Sequence, residues 1–134
     1  MPGPFPTFPY PCRHGRDNDR RPRSPDERWI DRWRRRLEEV RLRGLECFAA
    51  SALGLGGPAL AQAEQRARML TELAPYRESG HRILMEALER RGNLAEALRA
   101  YERLRVLLRE ELGVAPSPAV QAVHRRLLRS ADEV

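Results

Sequence analysis

The chain has 134 residues with 25 basic side chains, all of them arginine, against 19 acidic ones, and its formal net charge is +6. A chain of this length holds one domain and a tail. The charge is uneven: residues 1–25 carry five Arg and two acids, whereas residues 26–134 carry 20 Arg and 17 acids. Interspersed opposite charges are typical of a solvated, ion-paired surface. They argue against a nucleic-acid-binding face, on which basic residues cluster.

The sequence offers no membrane segment. Its longest uncharged stretch, Cys47 to Ala63, is broken by glycines and a proline and is too short to cross a bilayer. No N-terminal apolar run resembles a signal peptide. We therefore expect a cytoplasmic protein with no membrane partner.

Catalytic and metal chemistry find little support. The two cysteines, Cys12 and Cys47, do not make a disulfide framework, and we expect Cys47 to be a small buried residue of a helix. The three histidines lack the spacing of metal ligands, and His81 is expected to pack in the core. No phosphate-binding loop or hydrolase motif is present. We expect no catalytic residue, no cofactor, no metal site and no enzymatic activity.

Residues 1–23 are rich in proline and arginine. Frequent proline removes backbone donors and favours an extended chain, and the arginines offer little to bury. We expect residues 1–23 to form a disordered tail. As an alternative, its arginines could contact the phosphates of DNA.

A long first helix is predicted from Pro25 to about Leu53. Ser24 and Glu27 have the spacing of a capping box, and Pro25 occupies the first helical position, where its missing N–H costs nothing. The apolar residues that we expect on the buried side of this helix are Trp29, Trp33, Leu37, Val40, Leu45, Phe48 and Ala52.

Four further helices are predicted, at about residues 59–73, 76–91, 94–112 and 118–129. Gly92 and Gly113 suit the left-handed conformation that ends a helix, whereas Asn93 and Ser117 suit the N-cap position. The residues expected on buried stripes are Leu60, Ala63, Ala67, Leu70, Ile83, Leu84, Ala87, Leu88, Leu94, Ala97, Leu98, Tyr101, Leu104, Leu107, Leu108, Val120, Val123, Leu127 and Leu128.

The second and fourth helices share one pattern at a shift of 34 residues, which places Leu94 on Leu60 and Leu104 on Leu70. A period of 34 is that of the tetratricopeptide repeat. We therefore predict an all-α fold of about five helices in tetratricopeptide-like antiparallel hairpins, forming a fragment of a right-handed solenoid. The alternative is an ordinary helical bundle with two similar hairpins.

The stretch from Glu72 to Leu128 contains LAPYRESGHRILMEALERRGNLAEALRAYERLRVLLREELGVAPSP and then VQAVHRRLL. These motifs, with RRRLEEVRLRGLE upstream, closely resemble the bacterial transcriptional activator domain of SARP-type antibiotic regulatory activators. The resemblance implies such a domain over residues 24–131, with 132–134 as a frayed C-terminus. The winged-helix DNA-binding domain and the opening helices that the family normally places before this module are not visible in the sequence.

The resemblance implies a protein–protein interaction module that regulates transcription through self-association or contact with the transcription machinery. Two repeats and a capping helix fall below the three repeats that stability usually needs, so a homodimer is one expected form. The alternatives are nucleic-acid binding through the Arg-rich tail, with DNA otherwise contacted only indirectly, and a truncated remnant of a larger regulator. By register with the inner groove of tetratricopeptide-like folds, the predicted partner-binding residues are Phe48, Ala52, Leu55, Arg82, Glu86 and Glu89.

Overall fold

The computed structural model describes Gly3 and residues 22–133 of the chain. The predicted disordered tail, apart from Gly3, Pro22 and Arg23, lies outside the described residues, as does Val134. The described part contains α-helices and one short 3₁₀ turn. The helices are α1 (Pro25–Leu55), α2 (Leu60–Leu73), α3 (Glu78–Arg90), α4 (Leu94–Leu112) and α5 (Pro118–Asp132), and the 3₁₀ turn is Gly57–Ala59.

The prediction of an all-α fold with five helices is confirmed, and most predicted boundaries lie within two residues of the observed ones. Short connections place consecutive helices antiparallel, and each of them packs on the next, while α3 also contacts α1 and α5. This order of packed hairpins is compatible with a tetratricopeptide-like solenoid. Helix α5 extends to Asp132, three residues beyond the predicted Arg129.

The first helix begins at the predicted capping box. The backbone N–H of Glu27 donates to the Ser24 hydroxyl at 3.2 Å, and the N–H of Ser24 donates to the Glu27 carboxylate at 3.1 Å. The helix ends at Gly56, which has a positive φ of 66°. Its 31 residues give it a length of about 46 Å at about 1.5 Å per residue.

Glycines end α3 and α4 as predicted. Gly92 has φ 81° and Gly113 has φ 67°, and in each case the next N–H reaches back to a carbonyl of the helix, from Asn93 to Leu88 at 2.8 Å and from Val114 to Leu108 at 3.2 Å. Asn93 and Ser117 occupy the predicted N-cap positions of α4 and α5, but neither makes a side-chain cap hydrogen bond, so the side-chain cap expected of Asn93 is wrong. The backbone N–H of Asn93 instead donates to the Leu88 carbonyl and so satisfies a carbonyl at the C-terminal end of α3.

The core lies where α2, α3 and α4 meet their neighbours. Leu70, Met85, Leu88, Leu104 and Leu127 are fully buried there. The repeat is also visible as matched burial, because positions 34 residues apart, such as Ala63 and Ala97 or Ala67 and Tyr101, are buried in both hairpins. The predicted stripes of α2, α3 and α4 are therefore confirmed in their main positions, and those of α5 except for Leu128, which is exposed.

The predicted buried side of α1 is wrong over most of its length. Its exposed members are Trp29, Trp33, Leu37, Val40 and Phe48. Helix α2 has 14 residues and spans about 21 Å, so it covers only the C-terminal half of α1. In that half Ala49, Ala52 and Leu53 are buried. Cys47, expected to be buried, is exposed.

Helix α3 begins two residues later than predicted. Pro75, which directly precedes the predicted start at residue 76 and was expected to open the helix, lies in a turn with residue 76, and the helix starts at Glu78 after Arg77 in an extended conformation. Among residues 22–133, no helix has both the length and the apolar character needed to cross a membrane.

Candidate interaction surface

The N-terminal half of α1 carries a row of exposed apolar side chains. Ile30 is 42% exposed, Trp33 47%, Leu37 61% and Val40 63%, and Trp29 lies beside them. The rings of Trp29 and Trp33 meet edge to face, with centroids 5.9 Å apart. We call Trp29, Ile30, Trp33, Leu37 and Val40 the α1 apolar face. Large exposed apolar patches on a soluble domain mark sites of association.

Arginines surround this face. Arg32 and Arg36 line a shallow depression together with the two tryptophans. One turn past the end of this face, Arg43 pairs with Glu39 at 3.4 Å. Among residues 22–133, Arg34, Arg36 and Arg41 form no ion pair. Arginines therefore outnumber acids around the α1 apolar face, by seven to three over residues 28–43.

The α1 members of the predicted partner-binding set lie outside this face. Phe48 is half-exposed, and the Arg66 guanidinium of α2 stacks over its ring at 5.2 Å. Ala52 is buried between α1 and its neighbours at 5% exposure, whereas Leu55 is 82% exposed at the end of the helix. Only Phe48 and Leu55 offer side-chain surface to a partner.

The α3 members of the set are engaged in ion pairs. Arg82 lies 3.5 Å from Glu86 on the next turn. Glu89 receives three hydrogen bonds from the Arg126 guanidinium, the shortest at 2.7 Å, which ties α3 to α5. These three side chains lie on one side of α3, but the structure does not join them to Phe48 and Leu55 in one continuous patch. The partner-binding role of the six residues stays a prediction.

A polar groove lies between α1 and the start of α3. Its lining includes Cys47, Ala50 and Ser79. Arg77 closes one side by contacting Glu39 at 2.7 Å and Glu46 at 3.4 Å. The Arg77 hydrogen bond lowers the pKa of Glu39 against the opposing effect of burial. The groove is therefore held together by internal ion pairs and leaves few unsatisfied charges for a ligand.

Two histidines belong to the interior side of the helices. His81 is buried as predicted, and its Nε2–H donates to the Pro75 carbonyl at 2.8 Å. Burial lowers the pKa of His81, although this hydrogen bond opposes the effect. His124 stacks on Tyr101, with ring centroids 3.6 Å apart, and burial lowers its pKa as well. Both rings act as packing groups.

The described residues hold no group of three His, Cys, Asp or Glu side chains that could bind a metal ion. Sequence reasoning named four of the five residues of the α1 apolar face, Trp29, Trp33, Leu37 and Val40, but assigned them to the core, and it missed Ile30. The signal that was available is length, because a predicted helix of about 30 residues preceded one of about 15, and a short helix cannot cover a long one.

Comparison with known proteins points to transcriptional regulators. The family model described as "Bacterial transcriptional activator domain" matches residues 21–128. The chain is 42% identical to the regulatory protein AfsR of Streptomyces griseus over 106 residues, which are 79% of this chain and 11% of AfsR.

Two further relatives agree. The identity is 43% over 95 residues to AfsR of Streptomyces coelicolor, covering 71% of this chain and 9% of that protein. It is 40% over 95 residues to the regulatory protein DnrI of Streptomyces peucetius, covering 71% of this chain and 34% of DnrI. The chain thus spans 9–34% of the length of these curated relatives. No solved structure gives a significant match.

Proposed function

This chain belongs to the bacterial transcriptional activator domain family, and on that premise we propose that it acts as a protein–protein interaction module in the regulation of transcription. Its partner is the transcription machinery or a second copy of the chain. This chain spans 11% of AfsR and 34% of DnrI. A regulatory role like that of these whole proteins is therefore part of the proposal. We also propose that the chain is not an enzyme and that it works in the cytoplasm.

The observation that carries the proposal is the exposure of the α1 apolar face. Trp29 and Trp33 each expose about half of their surface on a capped helix. Tryptophan in a preformed, rigid position is the side chain most enriched among the residues that dominate binding energies at protein interfaces. A partner that covers this face removes apolar surface from water, which favours association by about 25 cal/mol per Å² before the costs of binding.

The test measures association and its location together. The molar mass of the full chain is followed by sedimentation over a wide concentration range, and binding to purified bacterial RNA polymerase holoenzyme is measured alongside. We expect concentration-dependent mass or polymerase binding, and we expect Leu37→Ser to weaken it. Leu128→Ser, which changes an exposed leucine of α5, is the matched control and should have no effect.

A chain that stays monomeric at every concentration and does not bind polymerase contradicts the proposal. A second contradicting result is tight binding of a generic DNA duplex at physiological salt by residues 24–134 alone. That result would assign the arginines of the helical part to phosphate contacts, whose affinity falls steeply with salt.

A further inference from the structure

The apolar side chains of the first half of α1 repeat at alternating intervals of three and four residues. Ile30, Trp33, Leu37 and Val40 follow this rule, and Gly44 and Cys47 occupy its next two places. All six residues are exposed. A 3-4 repeat of apolar residues is the a/d seam that one helix presents to another in a coiled coil. The face is therefore shaped for a helix and not for a flat surface.

The seam has a uniform charge along both edges. When Ile30 is an a position, the e and g positions between Trp33 and Gly44 are Arg34, Arg36, Arg41 and Arg43. Within the same interval the acids Glu38 and Glu39 fall at b and c positions on the far side, and the acids of the first helical turn, Asp26 and Glu27, precede the seam. Residues at e and g contact the flanks of the partner helix and set partner choice.

This charge disfavours a second copy as the occupant. In a parallel pair each g position meets an e position, and in an antiparallel pair like positions meet, so the flanking contacts would be Arg against Arg in both arrangements. The chain's own tail is also unsuited, because residues 1–23 carry five Arg and two Asp among frequent prolines. Charge complementarity requires acidic flanks.

Gly44 supports the approach of a second helix. A Cβ built at this position meets no atom within 4 Å, so the packing of this chain does not require glycine there. Glycine inside a helix costs about 1 kcal/mol relative to alanine. On a seam, the missing side chain lets the backbone of a partner come close.

We propose that the N-terminal half of α1 binds an acidic amphipathic helix of a partner protein, in a coiled-coil pair. We call the surface that it uses the Arg-flanked seam, formed by Ile30, Trp33, Leu37 and Val40 with Arg34, Arg36, Arg41 and Arg43. This inference rests on the proposed interaction function and specifies the chemistry of the partner.

The chain contains two tryptophans, Trp29 and Trp33, and both lie at the seam, so their emission reports binding directly. The full chain is titrated with three synthetic helices of about three heptads that lack tryptophan and carry leucine at a and d. The three helices differ only at e and g, with Glu, Gln or Lys. We expect the Glu helix to shift the emission to the blue and to bind at least about tenfold more tightly than the Gln helix. Added salt should reduce this difference, and the Lys helix should not bind.

Charge reversal locates the site. Arg36→Glu/Arg41→Glu should weaken binding of the Glu helix at least about tenfold and create binding of the Lys helix. Arg99→Glu/Arg125→Glu changes two exposed arginines outside α1 and should alter neither. Circular dichroism of both double variants verifies that the helices remain formed.

Several outcomes overturn the inference. Equal binding of the Glu and Gln helices would show that charge does not select the partner. A mass that doubles with a blue shift on concentration would make a second copy the occupant, and a blue shift with duplex DNA at physiological salt would assign the surface to nucleic acid. If no helix binds while polymerase or self-association is still detected, this inference fails and the proposed function stands; if nothing binds at all, both fail.

Discussion

Helices α1 and α4 present similar apolar stripes in the sequence but meet different surroundings. The stripe of α4 is enclosed, with Ala97, Tyr101, Leu104 and Leu108 all buried. In the first half of α1 not one residue is buried, and the large apolar side chains face outward. Helix α4 packs on both α3 and α5, whereas the N-terminal half of α1 reaches past the end of α2.

This difference shows what a periodic stripe determines. The 3.6-residue period tells which side of a helix is apolar. It does not tell whether the same chain supplies the cover, because that depends on the lengths of the neighbouring helices. Where the described residues supply none, as along the first half of α1, the same pattern leaves an exposed apolar surface.

The largest contrast is expected from removing one leucine in each region. Leu104→Ala creates a cavity in the core and should lower the free energy of unfolding by about 2–5 kcal/mol, because Leu104 is fully buried. Leu37→Ala should change it by less than about 0.5 kcal/mol, as substitutions on an open surface do. Urea denaturation followed by circular dichroism measures both. A loss above about 2 kcal/mol for Leu37→Ala would mean that the α1 apolar face is covered in the isolated chain.

Replacing glycine by alanine at two helical positions, Gly80 and Gly44, should change the stability of the fold in opposite directions. At Gly80 a Cβ would lie 3.0 Å from Leu70 Cγ, so Gly80→Ala requires the fully buried Leu70 side chain to shift by a few tenths of an ångström and should destabilise the fold by up to about 2 kcal/mol. At Gly44 the space is open, and Gly44→Ala should stabilise the chain by about 0.5–1 kcal/mol. The midpoint of thermal unfolding should decrease for Gly80→Ala and increase for Gly44→Ala. If both midpoints shift in the same direction, Gly80 is not tightly packed or Gly44 is not in open space.

A substitution in the capping box should show whether the first turns of α1 unfold together with the core or separately. Ser24→Ala removes the acceptor of the Glu27 N–H, a loss of about 1 kcal/mol for the helix end. Since the first turns of α1 pack on no other described helix, the loss should appear as fraying, with faster amide exchange near residues 26–32 and an unchanged urea midpoint. A midpoint that falls by the full cap energy would mean that this segment unfolds together with the core.

The pH dependence should report the buried histidine of the core and not α1. Burial places the pKa of His81 below its ordinary value, which is about 6.5, so the unfolded chain binds that proton more readily than the folded one. The stability of the fold with His81 neutral is fully present above about pH 6.5 and is lost as the pH falls toward the folded-state pKa of His81. The lowered pKa of His124 changes the stability in the same direction.

The measurement is the urea midpoint between about pH 7.5 and about pH 5.0, where carboxyl groups with ordinary or lowered pKa values remain ionised. We expect the urea midpoint to decrease as the pH is lowered, and we expect His81→Phe to make this dependence of the midpoint on pH less steep. A urea midpoint that increases as the pH is lowered would contradict the assignment of a neutral, buried His81.

Much of the fold follows from local chemistry in the sequence. The capping box at Ser24, the left-handed glycines Gly92 and Gly113 and the stripe of α4 all depend on residues close in the chain, and the structure has them as predicted. The errors involve partners that are distant or absent. Asn93 uses its backbone for the end of α3. Trp33 was expected to be buried, although the predicted lengths of the two helices already indicate that α2 cannot cover it. Cys47 lines the exposed groove between α1 and the start of α3, which depends on residues distant in the chain.

The central claim is that the α1 apolar face is uncovered in the free chain, and its two tryptophans test this most directly. Their emission maximum and their quenching by acrylamide are measured for the folded chain at several dilutions and compared with those of the urea-unfolded chain. Because Trp29 and Trp33 are 58% and 47% exposed, we predict red-shifted emission and quenching close to that of the unfolded chain. Blue-shifted emission with strong protection, unchanged by dilution, would contradict the account, because it would show that this face is already buried.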